Sequence, residues 1–98
     1  LPVVISSALE TGIGLSHGIA LASELNVELA CGLGTANLLT SDIVNEDLEI
    51  KDGEIAVIAR TPNWSKVEKF RANEERKTWW QARITRILES GEFDEYLH

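Results

Sequence analysis

Val3, Val4 and Ile5 follow one another with no polar residue between them, and Pro2 stands just before. A β-branched run without alternation predicts a strand over Leu1 to Ser7, covered on both faces as in a parallel sheet. From Thr11 to Leu25 the spacing changes: Ile13, Leu15, Ile19, Leu21, Ala22 and Leu25 recur at mostly helical intervals, with Gly14, Gly18 and Ala20 between them. That pattern predicts a helix whose small residues let it lie close against something flat. Asn26 ends it, and Val27 to Cys31 is a second short apolar run stopped by Gly32. Strand, helix and strand with short links predict a right-handed parallel βαβ unit. Two strands and one helix leave a face of a parallel sheet uncovered, so the unit is expected to need neighbours.

Beyond Gly32-Leu33-Gly34-Thr35 the pattern shifts again. A short helical turn is expected at Ala36 to Leu39. Leu48-Glu49-Ile50 and Ile55-Ala56-Val57-Ile58 flank Lys51-Asp52-Gly53-Glu54, and Asp-Gly between apolar segments signals a hairpin. Thr61-Pro62-Asn63 breaks that pattern. Ser65 to Arg71 predicts a short helix and Asn73 to Ser90 a longer one, with Asn73 as N-cap, Glu74 and Glu75 in the first turn and Gly91 as the stop. Trp79, Trp80, Ile84, Ile87 and Leu88 are its expected apolar stripe.

Composition narrows the partners. A chain of 98 residues with 44% apolar residues is ordinary for packed protein, and charged or polar residues interrupt every stretch well short of the roughly 20 apolar residues a membrane span needs. A formal charge of −7 disfavours nucleic acid and anionic membranes, which gain affinity from clustered Lys and Arg. The single cysteine, Cys31, lies in an apolar run and closes no internal disulfide, which suits a reducing, cytoplasmic setting. With no basic neighbour to lower its pKa, Cys31 reads as an inert thiol rather than a nucleophile. His17 sits inside the first helix without ligand-spaced partners, and His98 at the chain end carries no reading of its own. Lys51, Lys66, Lys69 and Lys77 fall in a turn or on polar helical faces, as surface lysines do. The three tryptophans read as packing residues, since stacking on bases does not suit an acidic chain.

Two runs carry a more specific signal. Val4-Ile5-Ser6-Ser7-Ala8-Leu9-Glu10-Thr11-Gly12-Ile13-Gly14-Leu15 and, at matching distance, Ala30-Cys31-Gly32-Leu33-Gly34-Thr35 resemble o-succinylbenzoate synthase of the enolase superfamily, in its actinobacterial form. In that family the first run ends the seventh strand of a (β/α) TIM barrel and the second ends the eighth. The resemblance implies an α/β fold, the C-terminal part of an enolase-superfamily barrel. Residues 1–47 would then form its last strands and helix, residues 48–62 a hairpin returning to the capping domain, and residues 63–98 a C-terminal helical tail.

The implied reaction is a lyase's: dehydration of 2-succinyl-6-hydroxy-2,4-cyclohexadiene-1-carboxylate to o-succinylbenzoate, in menaquinone biosynthesis, with Mg²⁺. The family's lysine bases lie on the second and sixth strands and its Asp and Glu metal ligands on the third, fourth and fifth. None of these is in the chain, so the segment alone is expected to be inactive and its Mg²⁺ ligands to lie outside it. The loops after the last two strands of such barrels often bind anions. Ser6 or Ser7 and the backbone N–H groups near Gly32, Leu33 and Gly34 are therefore the expected contacts for a dianionic substrate. The plainer reading is that the serines cap or brace the following turn and the glycines serve chain geometry. Glu10 reads as a carboxylate at a helix start rather than a general acid. Two alternatives stand beside this one: a noncatalytic binding or structural module, and a racemase or cycloisomerase of the same superfamily.

Overall fold

The computed structural model describes residues 1–96, so His98 lies outside the described residues. In chain order the elements are helix α1 (Gly12–Glu24), a 3-10 turn (Thr35–Leu38), strands β1 (Ile50–Lys51) and β2 (Glu54–Ile55), helices α2 (Trp64–Lys69) and α3 (Glu74–Glu89), and a last 3-10 turn (Asp94–Tyr96). It is a small α/β arrangement with a two-stranded antiparallel hairpin and no closed sheet.

The parallel partnership of the first two apolar runs forms as a single bridge, Ser6 to Gly32, instead of two regular strands. The Ser7 N–H donates to the Gly32 carbonyl and the Gly32 N–H to the Ile5 carbonyl, both at 2.9 Å. Pairing therefore falls at the C-terminal ends of the runs, one residue past the predicted end of the second. Coverage explains the difference. Ile5 and Cys31 pack against the buried cluster of Leu15, Ile19, Leu33, Val44 and Leu48, on the side where α1 lies. Val3 and Val4 are nearly half exposed, at 46% and 48%. With only one face covered, nothing holds the upstream parts of the two runs in a ladder.

The segment from Asp42 to Leu48 supplies the rest of the core and ties it to the chain beyond the hairpin. Val44 bridges Pro62 in antiparallel sense. The Asn63 N–H donates to the Ile43 carbonyl at 2.7 Å and the Asn45 N–H to the Thr61 carbonyl at 3.0 Å. Glu46 accepts from the Thr61 N–H at 2.6 Å and from its hydroxyl at 2.8 Å. First the N–H and then the hydroxyl of Thr61 hold the Glu46 carboxyl below its ordinary pKa of 4.5. Between these joined segments the hairpin pairs Ile50 with Ile55 and Lys51 with Glu54. Asp52 and Gly53 take φ of 52° and 76°, the left-handed pair a two-residue hairpin turn requires. Arg60 is buried beside it, and its guanidinium donates to the carbonyls of Asp47, Ile58 and Ala56 at 3.1, 3.3 and 3.1 Å.

The tail follows its pattern locally. Asn63 Oδ1 accepts from the Lys66 N–H and Asn73 Oδ1 from the Arg76 N–H, capping α2 and α3. Gly91, with φ of 71°, follows the end of α3. The stripe of Trp79, Trp80, Ile84, Ile87 and Leu88 is exposed along its whole length. Among the described residues its own arginines lie over it: the Arg76 guanidinium is 4.5 Å from the Trp79 ring centre and that of Arg83 5.7 Å away.

The chain is also open for its size. The accessible surface is 7856 Å² for 10.8 kDa, where a folded monomer of that mass exposes about 5,500 Å². The radius of gyration is 16.1 Å, against about 13 Å for a compact chain of this length. Five buried apolar residues do not make a core that stands by itself. The isolated 98-residue chain is therefore expected to unfold without a cooperative transition; a sharp calorimetric peak from a monomer would contradict this. Glu46 generates a second expectation. A carboxyl with a folded-state pKa below its unfolded value stabilises the fold above the unfolded value, and that contribution is lost as pH falls through the folded one. In the intact protein, the stability gap between wild type and Glu46→Gln in urea titrations is expected to be full at about pH 7 and to shrink below about pH 4.5. A gap unchanged into strong acid would show that the carboxylate is not held.

Candidate functional site

Ser6, Ser7, Gly32, Leu33 and Gly34 come together at the one parallel bridge, and the structure gives them different surroundings. In an extended chain successive side chains face opposite ways. Ile5 and Ser7 are half-buried on the α1 side, whereas Ser6 is exposed on the uncovered face. Gly32 pairs with Ser6, and a Cβ at residue 32 would stand 3.2 Å from Ser6 Oγ. The absence of a side chain there leaves that hydroxyl its room. The Leu33 side chain, 8% exposed, belongs to the core, so only its backbone is free to meet a ligand.

Ser7 is engaged within the chain. Its hydroxyl donates to the Gly32 carbonyl at 2.8 Å, and the Thr35 hydroxyl donates to the Ala8 carbonyl at 3.1 Å. The two hydroxyl oxygens stand 3.0 Å apart. Each hydroxyl has one proton, so a hydrogen bond between them is made only by giving up one carbonyl. The plainer reading of a serine, as a brace between loop ends, describes Ser7. It does not describe Ser6.

Between these runs α1 begins, and its N-terminus is already occupied. The Gly12 N–H donates to both oxygens of Asp42, at 2.9 and 3.0 Å, while Asp42 Oδ1 also accepts from the Ile43 N–H at 2.7 Å. The carboxylate at this helix start comes from 30 residues down the chain, and Glu10 lies against Gly14 instead. A Cβ on Gly12 would come within 2.5 Å of Leu48 Cδ1 and 2.8 Å of Val44 Cγ2. Glycine at position 12 is what lets the Asp42–Leu48 segment close on the helix start.

Two cavities adjoin the site. One of about 290 Å³ is lined by Asp42, Glu46, Asp47, Asn45 and Lys66 among others. Its carboxylates, with Glu46 held ionised, repel a dianion. The other, about 150 Å³, lies beside Leu33 and Gly34, between Cys31 and the hairpin residues Ile50, Gly53, Glu54 and Ile55. Pockets for small organic ligands run to roughly 300 Å³ and more, so this one is too small to be a whole site by itself. Among the described residues no three His, Cys, Asp or Glu side chains gather as a metal site would need, and no helix is long and apolar enough to cross a membrane. The residues present do not fit Mg²⁺. His17 is exposed on α1 and Cys31 is half-buried, its thiol 3.6 Å from the Leu29 carbonyl. All four lysines are exposed. Sequence reasoning passed over Asp42, Arg60 and the role of the Thr35 hydroxyl; only Thr35, the last residue of the second motif, carried a signal.

Over 85 residues, 86% of the chain, the sequence is 35% identical to o-succinylbenzoate synthase of Mycobacterium tuberculosis strain H37Rv. The chain is similar to o-succinylbenzoate synthase. The o-succinylbenzoate synthases of Mycolicibacterium smegmatis and Mycobacterium ulcerans match over the same length at 34% and 35% identity. The chain spans about a quarter of the length of these curated relatives, 26% in each case. A match of 85 residues takes in everything from Leu15 to Ile84 wherever it starts, so likeness to the synthase extends through the hairpin into α3. No family model and no solved structure matches the chain.

The Asp42 cap is open to test in the intact protein. Asp42→Ala is expected to cost about 1 kcal/mol, with Asp42→Asn costing less, because the amide oxygen still accepts from Gly12. Urea unfolding midpoints check this, and an Asp42→Ala midpoint equal to wild type would remove the cap from the account.

Proposed function

We propose that this chain is the closing part of an o-succinylbenzoate synthase and that it supplies substrate-binding walls to that enzyme's site. In this reading the runs ending at Ser7 and Gly32 are the seventh and eighth barrel strands, residues 1–47 with α1 close the barrel, residues 48–62 return to the capping domain and residues 63–98 form its tail. The rest of the barrel covers the face on which Ser6 is exposed. The lysine bases and the Mg²⁺ ligands belong to strands outside these residues, and the enzyme is cytoplasmic.

The observation that carries the reading is the parallel bridge between Ser6 and Gly32, which sets the two motif ends side by side. What this chain contributes is binding. The substrate, 2-succinyl-6-hydroxy-2,4-cyclohexadiene-1-carboxylate, is a dianion, and the Asp42 carboxylate denies it the N-terminus of α1. Recognition then falls to the Ser6 hydroxyl and to backbone N–H groups at Leu33 and Gly34. These are neutral donors that hold a carboxylate by short hydrogen bonds. Held there, the ring keeps the carbon beside its carboxylate in place for a base delivered from elsewhere in the barrel.

Ser6→Ala in the full-length protein is expected to lower kcat/KM for the dehydration roughly 10-fold, the scale of one hydrogen bond to a charged group. An unchanged kcat/KM would remove Ser6 from the binding wall. Assaying wild type for dehydration and for N-acylamino acid racemisation tests the reading itself, and a protein that racemises without dehydrating would overturn it.

A further inference from the structure

We infer that Thr35 is a positioning residue of the proposed synthase site: its hydroxyl ties the loop after Ser7 to the turn after Gly34, and so sets where Ser6 stands relative to the backbone of Leu33 and Gly34. The inference rests on the proposed function and deepens it. The two motif ends are joined by one bridge of two backbone hydrogen bonds. Past that bridge the chains separate, and Ala8 and Leu9 are exposed, Leu9 at 63%.

The hydroxyl contacts of Ser7 and Thr35 extend the junction by one residue. They bring the Ala8 carbonyl, on one side, to the first residue of the 3-10 turn on the other. Thr35 lies outside the buried cluster, and α1 is fixed independently through Leu15, Ile19 and the Asp42 cap. Removing the hydroxyl therefore frees a loop end without dismantling the fold. In the freed state the Ala8 carbonyl loses its donor and Ser7 keeps only Gly32. The separation between the Ser6 hydroxyl and the Leu33 and Gly34 N–H groups is then no longer set, and a carboxylate that spans them binds less well.

The test is a series in the full-length protein: Thr35→Val, which keeps the shape and removes the hydroxyl, and Thr35→Ser, which keeps the hydroxyl. Thr35→Val is expected to raise KM for the dehydration roughly 3- to 10-fold with kcat within about twofold, and Thr35→Ser to restore KM. Amide exchange at Ser7 and Gly32 is expected to quicken in Thr35→Val and to stay at the wild-type rate in Thr35→Ser. A purely architectural role would lower the melting temperature and the active fraction while leaving KM unmoved. An unchanged KM, an equal defect in both variants, or unchanged exchange in Thr35→Val overturns the inference. Should Thr35→Val fail to fold, Thr35→Ala removes the same hydroxyl and is held to the same expected and overturning results. A wild type without dehydratase activity defeats the proposed function, while the exchange comparison still decides whether Thr35 ties the loops.

Discussion

Parallel strands hold their place because both faces of their sheet are covered, and here α1 covers one. Ile5, Ser7 and Cys31 meet the helix side; Val4 and Ser6 stand open on the other. From that imbalance follow the reduction of two strands to a single bridge, the small buried cluster and a surface about 2,300 Å² larger than a folded chain of this mass exposes. An excess of that size exceeds the roughly 800 Å² that each partner buries in a standard protein interface. It is closer to the scale of a domain cut through its core. The similarity to o-succinylbenzoate synthase, over about a quarter of that enzyme's length, comes from an independent direction and agrees with it.

In the proposed reading the same arrangement separates binding from chemistry. A helix start next to two loop ends would ordinarily attract an anion by its dipole. Asp42 fills that place, and the groove beyond it carries Glu46 and Asp47, so negative charge surrounds the obvious anion site. In the proposed reading, what is left for a dianion is a narrow set of neutral donors on the opposite face. Ser7 is braced against Gly32 and Thr35 and so belongs to the frame, while the proposal gives Ser6 to the lining.

Much of this was legible in the sequence where the signal was local. The Asp52-Gly53 turn, the Asn73 cap, the stop at Gly91 and the end of α1 at Asn26 each rest on chemistry within a few residues. The parallel pairing of the first two runs was legible too, since a helix between them leaves little choice of topology. What escaped was long in sequence and made by single polar side chains. Asp42 reaches Gly12 across 30 residues, Thr35 reaches Ala8 across 27 and Arg60 reaches Asp47 across 13. Such bonds leave no period behind them. The stripe on α3 was read correctly as apolar, yet periodicity describes which side is greasy and not what lies against it, and among the described residues the stripe stays exposed.

Arg60 shows how such a frame stays tolerant. Its guanidinium grips the peptide oxygens of Asp47, Ala56 and Ile58, which every amino acid carries in the same place. The hairpin is thus anchored through a feature that mutation at those three positions does not erase. At Ala56 and Ile58, both exposed, side chains are free to drift, generation by generation, toward whatever surface the hairpin meets, while the arginine keeps the backbone where it was.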